Sequence, residues 1–236
     1  MFHVEQIEWI RHALKEKNIP VSKNAMDLFR RYRSLLLEWN RRINLISEND
    51  KEKIVSRHFL GSIGLLRVVD FPEGTRLLDL GSGAGFPGVP LKIIRPDIHL
   101  ILVESVRKKV SFLERVIDSL QLIGVDVVCG RMEEVAPDIG AVDFVLSRAV
   151  ADFSTLAAWS RPCLSQSGGS LIAIKGAAAR QEFKRLLEEK ERMGVEDGRC
   201  IRYDPFPERA RLDSSWVLIG RFYRIDAPDV HEGSYT

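Results

Sequence analysis

Apolar positions along the first seventy residues recur at helical spacing. Val4 to Lys17 forms a short amphipathic stretch that stops near Pro20. Ser22 is placed to cap a longer helix, on which Leu28, Tyr32, Leu35, Trp39 and Ile43 make one apolar stripe. Arg30, Arg31, Arg33, Arg41 and Arg42 lie mostly off that stripe. A third helix is predicted from about Lys51 to Val69. The pattern changes at Phe71-Pro72-Glu73-Gly74, after which short apolar runs alternate with helical ones. Strands are predicted at Arg76–Leu80, Ile98–Glu104, Val125–Cys129, Val142–Ser147, Ser170–Lys175 and Trp216–Tyr223. Helices are predicted near Pro90–Arg95 and over Arg107–Leu120, Phe153–Cys163 and Ala179–Arg192. Strands alternating with helices imply an α/β fold, a Rossmann-like parallel sheet with helices on both faces. Three regions follow: an N-terminal helical extension over 1–72, a Rossmann-like domain over 73–226, and a polar tail over 227–236.

With 236 residues, 45% hydrophobic and 29% charged, the chain has ordinary globular composition and length for one generous domain. No apolar run approaches the roughly 18 residues needed to cross a bilayer, and no membrane partner is expected. The start, Met1 to Gln6, lacks the pattern of a signal peptide. Cys129, Cys163 and Cys200 are too scattered for a disulfide framework or a metal knuckle, which favours a reducing cytoplasm. Residues 1–72 carry 13 Lys/Arg against 9 Asp/Glu, whereas the rest carry 22 against 24. That asymmetry permits a polyanionic partner for the extension.

The chemistry is concentrated in Leu77-Leu78-Asp79-Leu80-Gly81-Ser82-Gly83-Ala84-Gly85-Phe86-Pro87-Gly88. A buried strand runs into Asp-x-Gly-x-Gly-x-Gly and opens a helix. Gly81, Gly83 and Gly85 allow a sharp turn and close approach of a ligand. Asp79 is at the end of the first strand and Glu104 at the end of the second, where an acid can accept from both hydroxyls of a ribose. A nucleotide-like cofactor follows. Gly83 to Gly88 also fits the dinucleotide fingerprint. An acid two residues before the first glycine suits S-adenosylmethionine, whose amino-acid end is cationic, better than a pyrophosphate.

After the third strand come Gly130-Arg131-Met132-Glu133-Glu134. A backbone amide and Glu133 could read the adenine edge while Met132 packs on it; two solvated acids at a helix start is the plainer alternative. Arg148 and Lys175 fall just past the fourth and fifth strands, where open α/β sheets bind ligands. They are the candidates for positioning substrate or cofactor, against the alternative of surface cations. Cys163 reads as structural, and His58 as a packed or solvated residue.

In these residues the chain resembles the small-subunit ribosomal RNA guanine-N7 methyltransferases, the RsmG or glucose-inhibited division protein B family. The matches run in order: Trp39-Asn40 with Asn44-Leu45-Ile46, Arg57-His58-Phe59-Leu60, Asp79 to Pro90, and Glu104-Ser105 with Lys108-Lys109 and Phe112-Leu113. They continue through Arg131-Met132-Glu133-Glu134, Ser147-Arg148-Ala149 and Lys175-Gly176. The resemblance implies methyl transfer from S-adenosylmethionine to N7 of a guanine in 16S rRNA (530 loop, position 527 in the usual rRNA numbering). It implies cofactor contacts at Gly81, Phe86, Met132-Glu133 and Arg148, and 16S rRNA or the small ribosomal subunit as partner. Two departures stand out: Gly61 where the family usually has Asp, and Leu212-Asp213-Ser214-Ser215 before Trp216. Guanine N7 has a lone pair and no proton, so no general base is expected. A monomer is the expected state. Alternative readings are a small-molecule methyltransferase using the same cofactor, an NAD-binding oxidoreductase, and an RNA-binding module with a vestigial pocket.

Overall fold

The computed structural model describes residues 2–16, 18–165, 168–204, 206 and 215–223. The tail over 227–236 and Leu212, Asp213 and Ser214 lie outside the described residues. Two helices open the chain, α1 (Phe2–Glu16) and α2 (Ala25–Trp39). Asn24 rather than Ser22 precedes α2, and Ile43 falls beyond its end. The third predicted helix is broken. A 3-10 stretch (Glu48–Lys53) leads into a π-helical turn (Ile54–Leu60), one α-turn, α3 (Gly61–Ile63), and a last 3-10 turn (Gly64–Arg67). Gly61, Ser62 and Gly64 are buried there, and Ser62 Oγ donates to the His58 carbonyl at 2.6 Å. Small residues thus bring this backbone close to its neighbours.

Seven strands follow: β1 (Arg76–Leu80), β2 (His99–Glu104), β3 (Val125–Cys129), β4 (Phe144–Arg148), β5 (Ser170–Lys175), β6 (Val195–Arg202) and β7 (Trp216–Phe222). The helices between them are α4 (Gly88–Ile94), α5 (Arg107–Leu120), α6 (Met132–Ile139), α7 (Phe153–Ser160) and α8 (Ala179–Met193). The sheet order is β3-β2-β1-β4-β5-β7-β6, parallel from β3 through β5, with β7 antiparallel to both its neighbours. Two elements escaped the sequence pattern. In β6, Glu196, Asp197, Arg199 and Arg202 are exposed along a charged edge strand. The second is α6, which carries Pro137 inside it and continues to Ile139.

Apolar side chains cover both faces of the sheet. On one face the core runs without interruption from Ile7 and Leu36 through Phe59 and Phe112 to Ile174 and Ile219. Trp39 of α2 meets Phe112 of α5 with ring centroids 5.7 Å apart. The extension therefore shares its core with the sheet. The other face is covered by α6, α7 and α8, with Met132, Leu156 and Leu186 buried against Leu78, Val145 and Leu171. Each such large apolar side chain contributes roughly 1.5–3 kcal/mol by leaving water. No helix among the described residues is long and apolar enough to cross a membrane.

Candidate active site

The strand order reverses between β1 and β4, and open α/β sheets bind ligands outside the carboxyl ends of the strands at such a point. The glycine loop leaves β1 there. Gly81 has φ +70°, and Val150 Cγ2 lies 2.6 Å from where its Cβ would be. Val150 belongs to the turn after β4, in which Ala149 has φ +56°. That left-handed conformation costs an alanine roughly 1–2 kcal/mol and folds Val150 back over the loop. At Gly83 an added Cβ would meet only the Gly81 carbonyl, at 3.8 Å, so this part of the loop is an open cradle.

The two acids hold the loop from opposite sides. Glu104 Oε2 accepts from the Gly83 amide at 3.0 Å and Oε1 from the Val106 amide at 2.8 Å. Asp79 is fully buried, and its Oδ2 accepts from the Gly88 amide at 2.8 Å. Its other oxygen, Oδ1, is buried without a hydrogen-bond partner among the described residues. Burial pushes the Asp79 carboxyl up to about 7, opposed by the Gly88 amide and the Arg148 charge and reinforced by the Glu104 charge. The unfolded carboxyl releases its proton near 3.8 and the folded one holds it until about 7. Between those values the native state binds more protons, so stability falls as pH rises. The expected result is that the unaltered protein loses melting temperature relative to Asp79→Asn from pH 4.5 to 7.5. Parallel curves for the two proteins would refute the assignment.

The extension closes the other side of the site. Tyr32 of α2 donates its hydroxyl to the Ala84 carbonyl in the loop. Phe86 does not present its side chain to the open cradle. It stacks on His58 at 4.8 Å and 18°, and packs near Tyr32 and Phe59. Only its backbone is placed to meet a ligand. The Met132 side chain is 4% exposed and packs in the core under α6. Glu133 is exposed in the first turn of α6, 3.9 Å from Arg131.

Arg148 ends β4 beneath the extension. Its Nη2 donates to the Arg57 carbonyl at 3.3 Å, and its Nη1 is buried without a partner. Burial pulls its pKa down, with Tyr203, Asp50 and Asp79 opposing and Arg57 adding to the fall. Lys175 is turned elsewhere. Its ammonium is 2.9 Å from Glu182 and donates to the Ala151 carbonyl, while Glu182 also accepts from the Phe153 amide at 2.8 Å. It fastens the turn after β4 to α8 and does not face the cradle. That corrects its candidacy as a positioning group for the ligand.

Sequence reasoning missed Tyr32, read as one residue of an apolar stripe, and Tyr203, whose hydroxyl donates to the Gly61 carbonyl at 2.6 Å. It also set aside His58. Its place in the Arg57-His58-Phe59-Leu60 match was the one signal that could have found it.

The residues fit a nucleoside cofactor with a cationic end: an open glycine cradle, an acid bridging β2 to the loop, and an unbonded buried carboxylate oxygen. Known proteins agree. Residues 25–202 match the family model of GidB, rRNA small subunit methyltransferase G. A curated ribosomal RNA small subunit methyltransferase G from Streptococcus pneumoniae is 38% identical over 192 residues, covering 80% of this chain and 79% of that protein. Its counterpart from Desulfitobacterium hafniense is 40% identical over 181 residues, covering 75% and 73%. Among solved structures, M. jannaschii TYW2 in complex with AdoMet superposes with a TM-score of 0.55 at 16% identity, covering 78% of this chain and 80% of that one. A SAM-dependent O-methyltransferase from Thermotoga maritima also gives 0.55 at 16% identity, covering 82% and 72%. At such identities these two structures speak for the Rossmann-like methyltransferase fold alone. Taken with the family match over three quarters of its length, the chain belongs to the rRNA small subunit methyltransferase G family.

Proposed function

We propose that this chain transfers a methyl group from S-adenosylmethionine to N7 of a guanine in 16S rRNA, in the 530 loop at the position 527 type. The observation that carries the reading is the pairing, at the sheet's reversal point, of the Glu104-braced glycine cradle with a half-buried arginine on β4. S-adenosylmethionine supplies an electrophilic methyl on a sulfonium. Glu104 holds the ribose hydroxyls, and the backbone of Gly81, Gly83, Gly85 and Phe86 lines the cofactor. The Asp79 carboxyl, once ionised above about pH 7, balances the cationic end. The backbone at Met132 and Glu133 meets the adenine edge. Arg148 orients the reacting groups.

No proton leaves N7, so the protein's contribution is placement. Holding two reactants in line can supply several kcal/mol of a barrier. The extension supplies exposed Arg31, Arg41 and Arg42 for RNA phosphates, and this functional division falls near residue 72. The protein works as a monomer in the cytoplasm.

The test is transfer of labelled methyl to small subunits and to naked rRNA from cells lacking this gene, with chemical cleavage at N7-methylguanine. One labelled guanine in the 530 loop is the expected outcome. Cofactor binding without label on either RNA substrate would move the reading to a small-molecule methyltransferase. Arg148→Ala is expected to lower kcat/KM roughly 10- to 100-fold, the loss of one charged hydrogen bond. Full turnover with unchanged cofactor affinity would remove Arg148 from this role.

A further inference from the structure

His58 lies in the π-helical turn over Ile54–Leu60, a geometry that often marks functional sites. It is 8% exposed, and neither ring nitrogen has a hydrogen-bond partner among the described residues. The nearest acid, Asp50, is 3.8 Å from Nε2 and is already engaged by Ser47 at 2.8 Å and Arg57 at 2.7 Å. Polar atoms buried in this way are costly unless something else binds them. The ring is also held rigidly, flat against Phe86 of the glycine loop. Beside it stands Arg148, whose Nη1 is the second buried donor without a partner.

The donor set has a chemical meaning. Arginine only donates, and a neutral imidazole carries one N–H. Burial and the Arg148 charge hold the His58 pKa down to about 3, so the ring is neutral at working pH. Guanine presents an acceptor, O6, next to N7, whereas adenine presents an amino donor at the same place. Two donors at O6 accept guanine and oppose adenine. They also leave the N7 lone pair free to attack.

We propose that His58, together with Arg148, donates to O6 of the target guanine, so that the helical extension carries the residue that selects the base. This rests on the methyl-transfer reading above. A carboxylate, such as the one on the cofactor's amino-acid end, would suit the same donors, and the experiment separates the two.

Small subunits are reconstituted with 16S rRNA bearing guanine, inosine or 2-aminopurine at the target position. The full chain is compared with His58→Phe, which keeps the stack on Phe86 and removes both nitrogens, and with His58→Asn and His58→Gln. Inosine retains O6 and N7, and is expected to react within about threefold of guanine; 2-aminopurine lacks O6 and is expected to react about 100-fold more slowly. His58→Phe is expected to slow guanine by roughly 10- to 100-fold without slowing 2-aminopurine further, with cofactor Kd within about twofold. One of the two amide variants restores guanine transfer. Equal slowing of guanine and 2-aminopurine by His58→Phe overturns the proposal in favour of a packing role. A cofactor Kd raised about tenfold, with guanine preference intact, overturns it in favour of the cofactor carboxylate. Absence of transfer to guanine by the unaltered chain overturns the functional reading itself, and the proposal with it.

Discussion

Alanine in place of Glu104 is expected to weaken cofactor binding by roughly two to four orders of magnitude, two hydrogen bonds to a charged group at about 1.5–3 kcal/mol each. The carboxylate is 6% exposed and accepts from Gly83 and Val106 amides, so its position is set before any ligand arrives. Each oxygen keeps a further lone pair, and the two together can accept from the vicinal hydroxyls of a ribose. Removing it also leaves two backbone donors without their acceptor. Glutamine is no remedy. Whichever way its amide turns, an NH2 group faces either Gly83 or Val106. Glu104→Gln is therefore expected to fall close to Glu104→Ala. Titration calorimetry with S-adenosylmethionine, alongside thermal melts to confirm folding, measures this directly. A Kd within about threefold of the unaltered protein for either variant would show that the ribose is held elsewhere.

The second large effect is expected at Gly85. Its φ is +90°, and an added Cβ would sit 2.6 Å from the Tyr32 hydroxyl and 2.8 Å from Val89 Cγ2. Left-handed backbone costs a side-chain-bearing residue roughly 1–2 kcal/mol, and overpacking a tight site about 1–3 more. At about 2–4 °C per kcal/mol for a chain of this size, Gly85→Ala is expected to lower Tm by roughly 5–15 °C. Gly83→Ala is the control. It carries a positive φ of +57° but has open space around the added carbon, so only the conformational part is lost. Because the Gly85 clash runs through Tyr32, Tyr32→Phe should return part of the loss in the double variant and cost stability alone. Additive effects of the two substitutions would mean that Tyr32 does not brace the loop.

These expectations draw on different sources. The strands β1, β2, β4 and β5 were legible in the sequence because a strand buried on both faces is an apolar run bounded by turn residues. The cradle was legible because closely spaced glycines at a strand's end serve a local backbone need. Even the acids, Asp79 and Glu104, could be placed, since each falls within the last two positions of a strand of the parallel sheet. The broken helix over 48–67 was less so. Its apolar positions keep a helical spacing, but small buried residues pull the backbone out of regular α geometry.

The sequence by itself determined the parallel strands, the cradle and the strand-end acids, because those depend on local backbone preference and on period, and the resemblance carried by its motifs pointed to the family. Which way a side chain faces was decided only in the folded protein. Lys175 and Arg148 both sit at strand ends, yet Glu182 of α8 captures the lysine while the Arg57 carbonyl of the extension engages the arginine. Phe86 and Met132 both neighbour the cradle, yet each turns inward to fill a core. His58 and Tyr203 reach the site from opposite ends of the chain. The contact of Tyr203 with Gly61 joins residues 142 positions apart, and no spacing rule carries it. Such contacts are settled by how the two faces of one sheet fill with side chains, and that competition is visible only in three dimensions.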